Sequence, residues 1–138
     1  MAKDHLHYRV KDVLVKDGWR ITEDPYYLRT WDPDWEIDFG AEKIFAAEKK
    51  HLKIAVEVKS FLEISFANEF HKILGQYLNY KASLSQLDSE RDLYLAVPDY
   101  IWNTAFQRKG IQFSLKAYNI KIFVFNPKNN VIEQWIHF

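Results

Sequence analysis

Residues 65–87 form the longest stretch with helical periodicity, and strand-like segments stand on both sides of it. Its apolar residues recur every three or four positions in one stripe of about six turns: Phe66, Phe70, Ile73, Tyr77, Tyr80, Leu84 and Leu87. Ser65 is the predicted N-cap. Residues 52–60 and 92–97 are typical of buried strands. This order predicts an α/β fold with a mixed sheet.

The remaining segments extend this α/β pattern in both directions. A helix is predicted over residues 4–17, ended by Gly18 in the left-handed conformation. Further strands are predicted at 19–23, 35–40, 42–50, 121–125 and 131–136, and short helices at 100–107 and 111–118. The sequence therefore predicts a mixed central β-sheet flanked by helices. The 138 residues suit a single domain spanning residues 1–138.

Composition excludes several classes of protein. With 48% hydrophobic and 17% aromatic residues, the chain is too apolar for disorder. Lys plus Arg equals Asp plus Glu at 19 each, which argues against a protein devoted to non-specific phosphate neutralisation. The absence of cysteine excludes disulfides and thiolate zinc sites. The charged N-terminus and the lack of a membrane-spanning apolar run predict no signal peptide, no membrane contact and a cytoplasmic location.

The segment KIAVEVKSF, residues 53–61, places charge inside an apolar strand. Ile54, Val56 and Val58 alternate with Ala55, Glu57 and Lys59: successive side chains of a strand point to opposite faces, so Glu57 and Lys59 share one. One interpretation is an exposed ion pair worth ~0–1 kcal/mol. The other is that both groups belong to a site.

An acid on the preceding predicted strand gives the second interpretation its chemistry. If strand 35–40 pairs with strand 52–60, Asp38 can lie beside Glu57, with Lys59 one step along. Mg²⁺, with Mn²⁺ as the alternative, is bound by one or two carboxylates plus waters and substrate phosphate. The Val58 carbonyl could be a further oxygen ligand. Such an ion activates a bound water, and Lys59 would orient that water or stabilise the pentavalent oxyanion. The chemistry indicated is phosphodiester hydrolysis.

The long helix adds two polar candidates. Gln76 and Tyr80 are four residues apart and share a helix face. Tyr80 also belongs to the apolar stripe, so core packing is its structural interpretation. Gly75 costs the helix about 1 kcal/mol relative to alanine, which indicates the close approach of another element or a ligand.

Together these residues match a known pattern. The order Asp38, Glu57-Val58-Lys59 and Gln76-x-x-x-Tyr80 resembles the PD-(D/E)XK nuclease superfamily and its Q-x-x-x-Y subgroup. Over essentially its whole length the chain is also similar to the XisH family. The segments that carry this resemblance are KDGWRIT-x-DP (16–25), IDFGAEK (37–43), AAEK (46–49), IAVEVKSF (54–61), LGQYLNY (74–80), LYLAVP (93–98) and the terminal WI (135–136).

The resemblance implies a restriction-endonuclease-like fold and a set of roles. Asp38 and Glu57 would be metal ligands, Lys59 the catalytic lysine, and Gln76 and Tyr80 auxiliary site residues. The chain departs from the superfamily pattern at the first acid, because no proline precedes Asp38. Three other acids are alternative first ligands: Asp34, Glu36 and Glu48.

XisH proteins are cyanobacterial factors that control excision of the fdxN element, a site-specific recombination performed by a separate recombinase. They act beside a small partner, XisI. The resemblance implies DNA as a substrate, with an XisI partner or the second subunit of a homodimer contributing part of the DNA-binding surface. Three functions therefore stand open. The first is a Mg²⁺-dependent endodeoxyribonuclease, and the second is a non-catalytic regulator that docks XisI or the recombinase. The third, ranked lower, is a toxin-like nuclease restrained by XisI.

The first predicted helix offers weaker candidates. His5 and His7 are two residues apart and so lie on different helix faces, which disfavours a shared metal. Asp12 or His5 could supply a further acid or base to the site, but a solvated helix face explains Asp12 as well.

Overall fold

The computed structural model describes residues 2–24, 26, 44–59, 61–62 and 64–138. Within these residues the helices are α1 (Ala2–Lys16), α2 (Phe66–Leu87), α3 (Asp99–Trp102) and α4 (Lys109–Ala117), with a 3₁₀ turn at Ala105–Gln107. The strands are β1 (Arg20–Glu23), β2 (Ile44–Lys49), β3 (Leu52–Val58), β4 (Arg91–Pro98), β5 (Ile122–Asn126) and β6 (Val131–Ile136). The predicted strand at 35–40 lies outside the described residues. Its predicted pairing with the strand that carries Glu57 is wrong, because Glu57 is paired with Ile44 of β2 on one side and with Leu95 of β4 on the other.

The described strands form one sheet in the order β1-β2-β3-β4-β5-β6. The pairs β1/β2, β2/β3 and β5/β6 are antiparallel, whereas β3/β4 and β4/β5 are parallel. Helix α2 makes the crossover between β3 and β4, because parallel neighbours cannot be joined by a tight hairpin. The predicted class, an α/β fold with a mixed central sheet flanked by helices, is confirmed.

Each face of the sheet packs against its own helices. Val10, Val13 and Leu14 of α1 cluster with residues of one face, including Val56 and Val58. On the other face, α2, the 3₁₀ turn and α4 pack over the following residues: Ala55, Leu93, Leu95, Val97, Ile122 and Val124. The alternation predicted for β3 is therefore confirmed.

Helix α2 begins and packs as its sequence predicts. Ser65 caps it, with its hydroxyl accepting a hydrogen bond from the Asn68 backbone N–H at 3.2 Å. Most of the predicted apolar stripe is buried: Phe70, Ile73, Tyr77, Tyr80 and Leu84. Leu87 is an exception at 45% exposure because it lies in the last turn.

Gly18 ends α1 in the predicted left-handed conformation, with φ of 96°. The Gly18 N–H bonds to the Val15 carbonyl at 3.0 Å, and the Trp19 N–H bonds to the Leu14 carbonyl at 2.9 Å. These bonds satisfy carbonyls at the end of the helix and turn the chain into β1.

Candidate functional site: a buried glutamate–lysine–glutamine cluster

Glu57 lies near the carboxyl end of β3, on the face covered by α2. It stands opposite Ile44 of β2 and Leu95 of β4. Leu95 belongs to the cluster beneath α2, and residues paired across a sheet point to the same face, so Glu57 points toward α2 as well. Its residue exposure is 0%. The sheet therefore places a carboxylate inside the protein, where an apolar side chain would be the ordinary occupant.

Lys59 follows the last residue of β3 and lies beside this carboxylate. Its Nζ is 3.6 Å from Glu57 Oε2, and the Lys59 side chain is only 6% exposed. The same ammonium donates a hydrogen bond to Gln76 Oε1 on α2. Two consecutive elements, β3 and α2, therefore bring the three groups together.

The burial of Glu57 and Lys59 excludes one of the two interpretations of the strand. The pair is not exposed, so the interpretation as a solvated surface ion pair is wrong. A buried ion pair must overcome the desolvation of both charges, which makes it weak evidence for a stabilising role. Buried, closely coupled ionisable groups are instead concentrated at functional sites.

Gln76 is half-buried in the middle of α2 and is the helix residue that contacts Lys59. The preceding Gly75 does not mark a tight contact within the described part of the chain. A Cβ atom added at Gly75 would meet no described atom within 4 Å, so the predicted close approach of another element is wrong there. Gly75 lies on the exposed side of α2 instead.

Tyr80 lies one helical turn beyond Gln76 and is 1% exposed. It belongs to the core cluster with Ile73, Tyr77 and Leu84, as expected from its place in the apolar stripe. The structure thus places Gln76 against Lys59, and Tyr80 in the core. A site role for Tyr80 stays a prediction.

Three of the predicted first metal ligands, Asp34, Glu36 and Asp38, lie outside the described residues. Glu48, the alternative ligand, is among the described residues, and the pairing of β2 with β3 places it away from the site. Glu48 is paired with Lys53, whereas Glu57 is paired with Ile44. The two pairs are four residues apart along the hairpin, so about 13 Å of strand separates Glu48 from the site.

Glu48 is instead ion-paired with two arginines. Its carboxylate is 3.6 Å from Arg91 and 3.7 Å from Arg20. The hypothesis that Glu48 replaces Asp38 is therefore wrong.

The donor set at the end of β3 consists of hard oxygen atoms. Glu57 supplies a carboxylate and Val58 a backbone carbonyl, which are ligands that Mg²⁺ and Mn²⁺ accept. Among the described residues, no group of three His, Asp or Glu side chains could hold a metal ion. The described residues therefore fit an ion held by one protein carboxylate, together with waters, substrate phosphate and any acid from residues 27–43.

The described side chains of helix α1, from Leu6 onward, do not contribute to this cluster. The helix packs on the opposite face of the sheet, and Asp12 is exposed on it. The predicted contribution of Asp12 to the site is therefore wrong. His7 bonds to Asp24 at 3.0 Å, and the side chain of His5 lies outside the described set.

Sequence reasoning missed Glu69. This acid is in the first turn of α2, and its exposure is only 8%. It precedes Ile73 by four residues and Gln76 by seven, which places all three on one side of the helix. That spacing is the signal that could have identified Glu69 as an inward-facing acid.

Tyr77 also has a role that its apolar spacing did not reveal. Its hydroxyl donates to the Leu93 carbonyl at 2.8 Å and accepts from the Lys121 backbone N–H at 3.0 Å. Burial raises the pKa of Tyr77 above its usual range, so the hydroxyl keeps its proton at neutral pH. Tyr77 thereby ties α2 to the starts of β4 and β5.

Arg91, the first residue of β4, holds this strand against its neighbours at the end of the sheet opposite the Glu57–Lys59 pair. Its Nε donates to Asp88 at 2.8 Å, and one terminal nitrogen donates to the Ile54 carbonyl at 3.0 Å. The guanidinium lies 5.2 Å over the Tyr26 ring, and the Tyr26 hydroxyl donates to Asp88 at 2.7 Å. Burial and that bond to Asp88 raise the pKa of Tyr26 to about 12.

The fold and the cluster define a class: a mixed α/β protein that buries an acid–lysine–glutamine group between a central strand and its crossover helix. The chain belongs to the XisH family, because the family model described as XisH protein matches residues 1–133. No curated protein sequence matches significantly. The described residues contain no helix long and apolar enough to cross a membrane.

Two crystal structures are similar to this chain. An XisH family protein from Nostoc punctiforme is 40% identical, with a TM-score of 0.84, and the match covers 95% of this chain and 98% of that one. An fdxN element excision controlling factor protein from Anabaena variabilis is also 40% identical, with a TM-score of 0.84 and coverage of 96% and 98%.

Proposed function

We propose that this protein is a DNA-processing factor in programmed DNA excision, and that its PD-(D/E)XK-like site hydrolyses phosphodiesters in the presence of Mg²⁺. The observation that carries the proposal is the buried contact of Lys59 with both Glu57 and Gln76. The description of the Anabaena variabilis protein as an fdxN element excision controlling factor supports the excision role.

Glu57 is the proposed metal ligand from β3, joined by the Val58 carbonyl and by Asp38. The chemistry supplied by a bound Mg²⁺ or Mn²⁺ is a lowered pKa of a coordinated water and stabilisation of charge on the phosphoryl group. Glu57 fits this role because a carboxylate at the end of a rigid strand is held in place by its neighbours rather than by a loop.

Lys59 is the proposed catalytic lysine. Its ammonium orients the attacking water or stabilises negative charge that develops on the phosphoryl oxygens. A buried ammonium acts more strongly than an exposed one because less water screens it. Gln76 is a positioning residue, since its Oε1 fixes the direction of the Lys59 side chain. Tyr80 supports α2 through the core.

The experiment combines metal binding with DNA cleavage. The purified protein, alone and with its XisI partner, is incubated with linear and branched DNA and Mg²⁺ or Mn²⁺, and Mn²⁺ binding is measured by calorimetry. Glu57→Gln should abolish Mn²⁺ binding and lower cleavage by at least about a hundredfold. Glu48→Gln is the matched control, because it changes an acid at the far end of the same hairpin.

Two results would contradict the proposal. One is cleavage that survives Glu57→Gln, which would place the chemistry elsewhere or in a contaminant. The other is a protein that neither binds Mn²⁺ nor cleaves any DNA, with or without its partner.

The second candidate function is a non-catalytic regulator that docks XisI, the recombinase or a second copy of itself. Exposed aromatic residues around α4 favour it, because Phe113 is 63% exposed and Tyr118 47% exposed. In this case Phe113→Ser should weaken partner binding in a pull-down with purified XisI, whereas Glu57→Gln should leave it unchanged. Equal binding by wild type and Phe113→Ser would remove this surface from consideration.

A further inference from the structure

Two large apolar side chains are exposed on the segment that leaves the site strand. Leu62 is 65% exposed and Ile64 107% exposed. They follow Lys59 by three and five residues, so they lie immediately beyond the site in the chain. Isolated exposed apolar residues are common on protein surfaces. Leu62 and Ile64 follow a buried charged cluster closely in the chain, and together they are here called the apolar tip.

The base of the apolar tip is held by aromatic packing. Phe61 has a positive φ of 56°, which is uncommon for a residue with a side chain and persists where the surroundings fix it. Its ring stacks on Phe66 at 6.5 Å between centroids and meets the edge of Phe106 at 5.6 Å. The residue that precedes the apolar tip is therefore held by aromatic packing.

The same aromatic base carries positive charge. The Arg108 guanidinium lies 5.4 Å from the centroid of the Phe66 ring. Arg108 and the next residue, Lys109, are both exposed. Phe66 thus contacts both Phe61, at the root of the apolar tip, and a cation, which gives this surface an apolar part beside a basic part.

We propose that Leu62 and Ile64 form a wedge that contacts unstacked bases of distorted DNA, while Arg108 and Lys109 hold the adjoining phosphates. This inference rests on the proposed function and names its substrate class: DNA with mismatched, unpaired or branched bases beside the cleavage point. Apolar side chains such as Leu and Ile are inserted between base steps by DNA-bending proteins. Bases that are already unpaired cost least to unstack.

Other occupants suit this surface less well. A stable protein interface buries about 1,200–2,000 Å² in total, and two side chains provide only a small part of that area. The tip is therefore suited to bases, with the phosphates held by the neighbouring cations.

The test measures preference for distorted DNA by fluorescence anisotropy. One probe is an intact duplex, and the other carries a short unpaired bubble with 2-aminopurine inside it. The variant is Leu62→Ser with Ile64→Ser, and the matched control is Leu52→Ser with Leu87→Ser. Leu52 and Leu87 are 60% and 45% exposed and lie at the opposite ends of β3 and α2 from the site.

The wild type and the control should prefer the bubble and change the 2-aminopurine signal. In the tip variant, the ratio of affinities for bubble and intact duplex should fall about tenfold, and the 2-aminopurine fluorescence should no longer change on binding. Its affinity for intact duplex should stay the same. All four substitutions are at exposed positions, and thermal unfolding verifies that the variants remain folded.

Three outcomes would overturn the wedge. If the tip variant prefers the bubble as strongly as the control does, the wedge is wrong and the proposed function stands. If the wild type binds neither DNA, the proposed function fails and the wedge fails with it. If the tip variant loses only self-association in sedimentation, the tip is a contact with a second copy.

Discussion

The Lys59 ammonium donates its hydrogen bond to Gln76 Oε1, linking the end of β3 to the middle of the helix that follows it. Glu57 Oε2 lies 3.6 Å from the same ammonium. Lys59 is thus held between a carboxylate of the strand and an amide of the helix. Removing either neighbour should affect the site in a different way, because only Glu57 can also bind a metal ion.

Gln76→Leu should lower the DNA-cleavage rate by about tenfold to a hundredfold, because Lys59 loses the acceptor that orients it. Mn²⁺ affinity in calorimetry should not change, since Gln76 touches the lysine and is not a proposed ligand. Gln86→Leu is the control, as it changes an exposed glutamine on the same helix. A loss of metal binding in Gln76→Leu, or an equal loss of cleavage in Gln86→Leu, would contradict the assigned positioning role.

Arg91→Lys should lower the free energy of unfolding by about 1–3 kcal/mol, because lysine cannot replace the forked donors that reach Asp88 and the Ile54 carbonyl. Chemical denaturation measures the change. Arg20→Lys is a matched control: both arginines approach Glu48, but the Arg20 side chain is 77% exposed and that of Arg91 9% exposed. The control should change stability by less than about 0.5 kcal/mol. Equal losses would show that the buried contacts of Arg91 contribute nothing specific.

Tyr77→Phe should destabilise the fold by about 1–3 kcal/mol, because it leaves the Lys121 N–H and the Leu93 carbonyl without the hydroxyl that joins them. Because burial raises the pKa of Tyr77, the loss should be the same between pH 6 and pH 9 in urea denaturation. Tyr118→Phe removes an exposed hydroxyl and should be nearly neutral. A Tyr77→Phe protein as stable as the wild type would mean that water or repacking satisfies both backbone groups.

Asp88 should make stability depend on pH in the acid range. Burial raises the pKa of this carboxyl, but the hydrogen bonds from Arg91 and Tyr26 outweigh it and hold the pKa below the ordinary value. When a carboxyl has a lower pKa in the folded state than in the unfolded state, its ionised form stabilises the fold. This stabilisation is fully present at pH values above the unfolded-state pKa, which is about 3.9. That contribution is lost as the pH falls through the folded-state pKa.

The corresponding measurement compares Asp88→Asn with the wild type by denaturant unfolding from pH 7 to pH 3. The wild type should be more stable at pH 7, and the difference should shrink below about pH 4 as its carboxyl takes up a proton. Asp92→Asn is the control, because Asp92 is 56% exposed in its ion pair with Lys121 and should show a smaller difference at pH 7. A difference for Asp88→Asn that persists unchanged to pH 3 would rule out the charge as its cause.

Local periodicity explains why much of the fold could be predicted. The positions of Phe70, Ile73 and Leu84 follow from the helical repeat, and the facing of Glu57 and Lys59 follows from the repeat of a strand. These patterns record which side of an element is buried. They do not show which element covers that side, so the sequence of β3 is compatible with both an exposed and a buried ion pair.

Contacts between distant elements explain what the sequence did not reveal. Glu48 was a plausible metal ligand until the register of the β2–β3 hairpin placed it opposite Lys53. That register depends on the turn at residues 50–51, where Lys50 adopts a φ of 55°. The exposure of Gly75 depends on which face of α2 packs against the sheet, and for that reason the sequence does not show that no described element approaches it.

The spacing of 17 residues between Lys59 and Gln76 also bears on how the protein is made. Closing so short a loop costs little chain entropy. We expect the strand and helix that carry the cluster to associate early in folding, before the last two strands leave the ribosome. The geometry of the Glu57–Lys59–Gln76 cluster would then belong to a local folding nucleus, and later segments of the chain could vary with little effect on it.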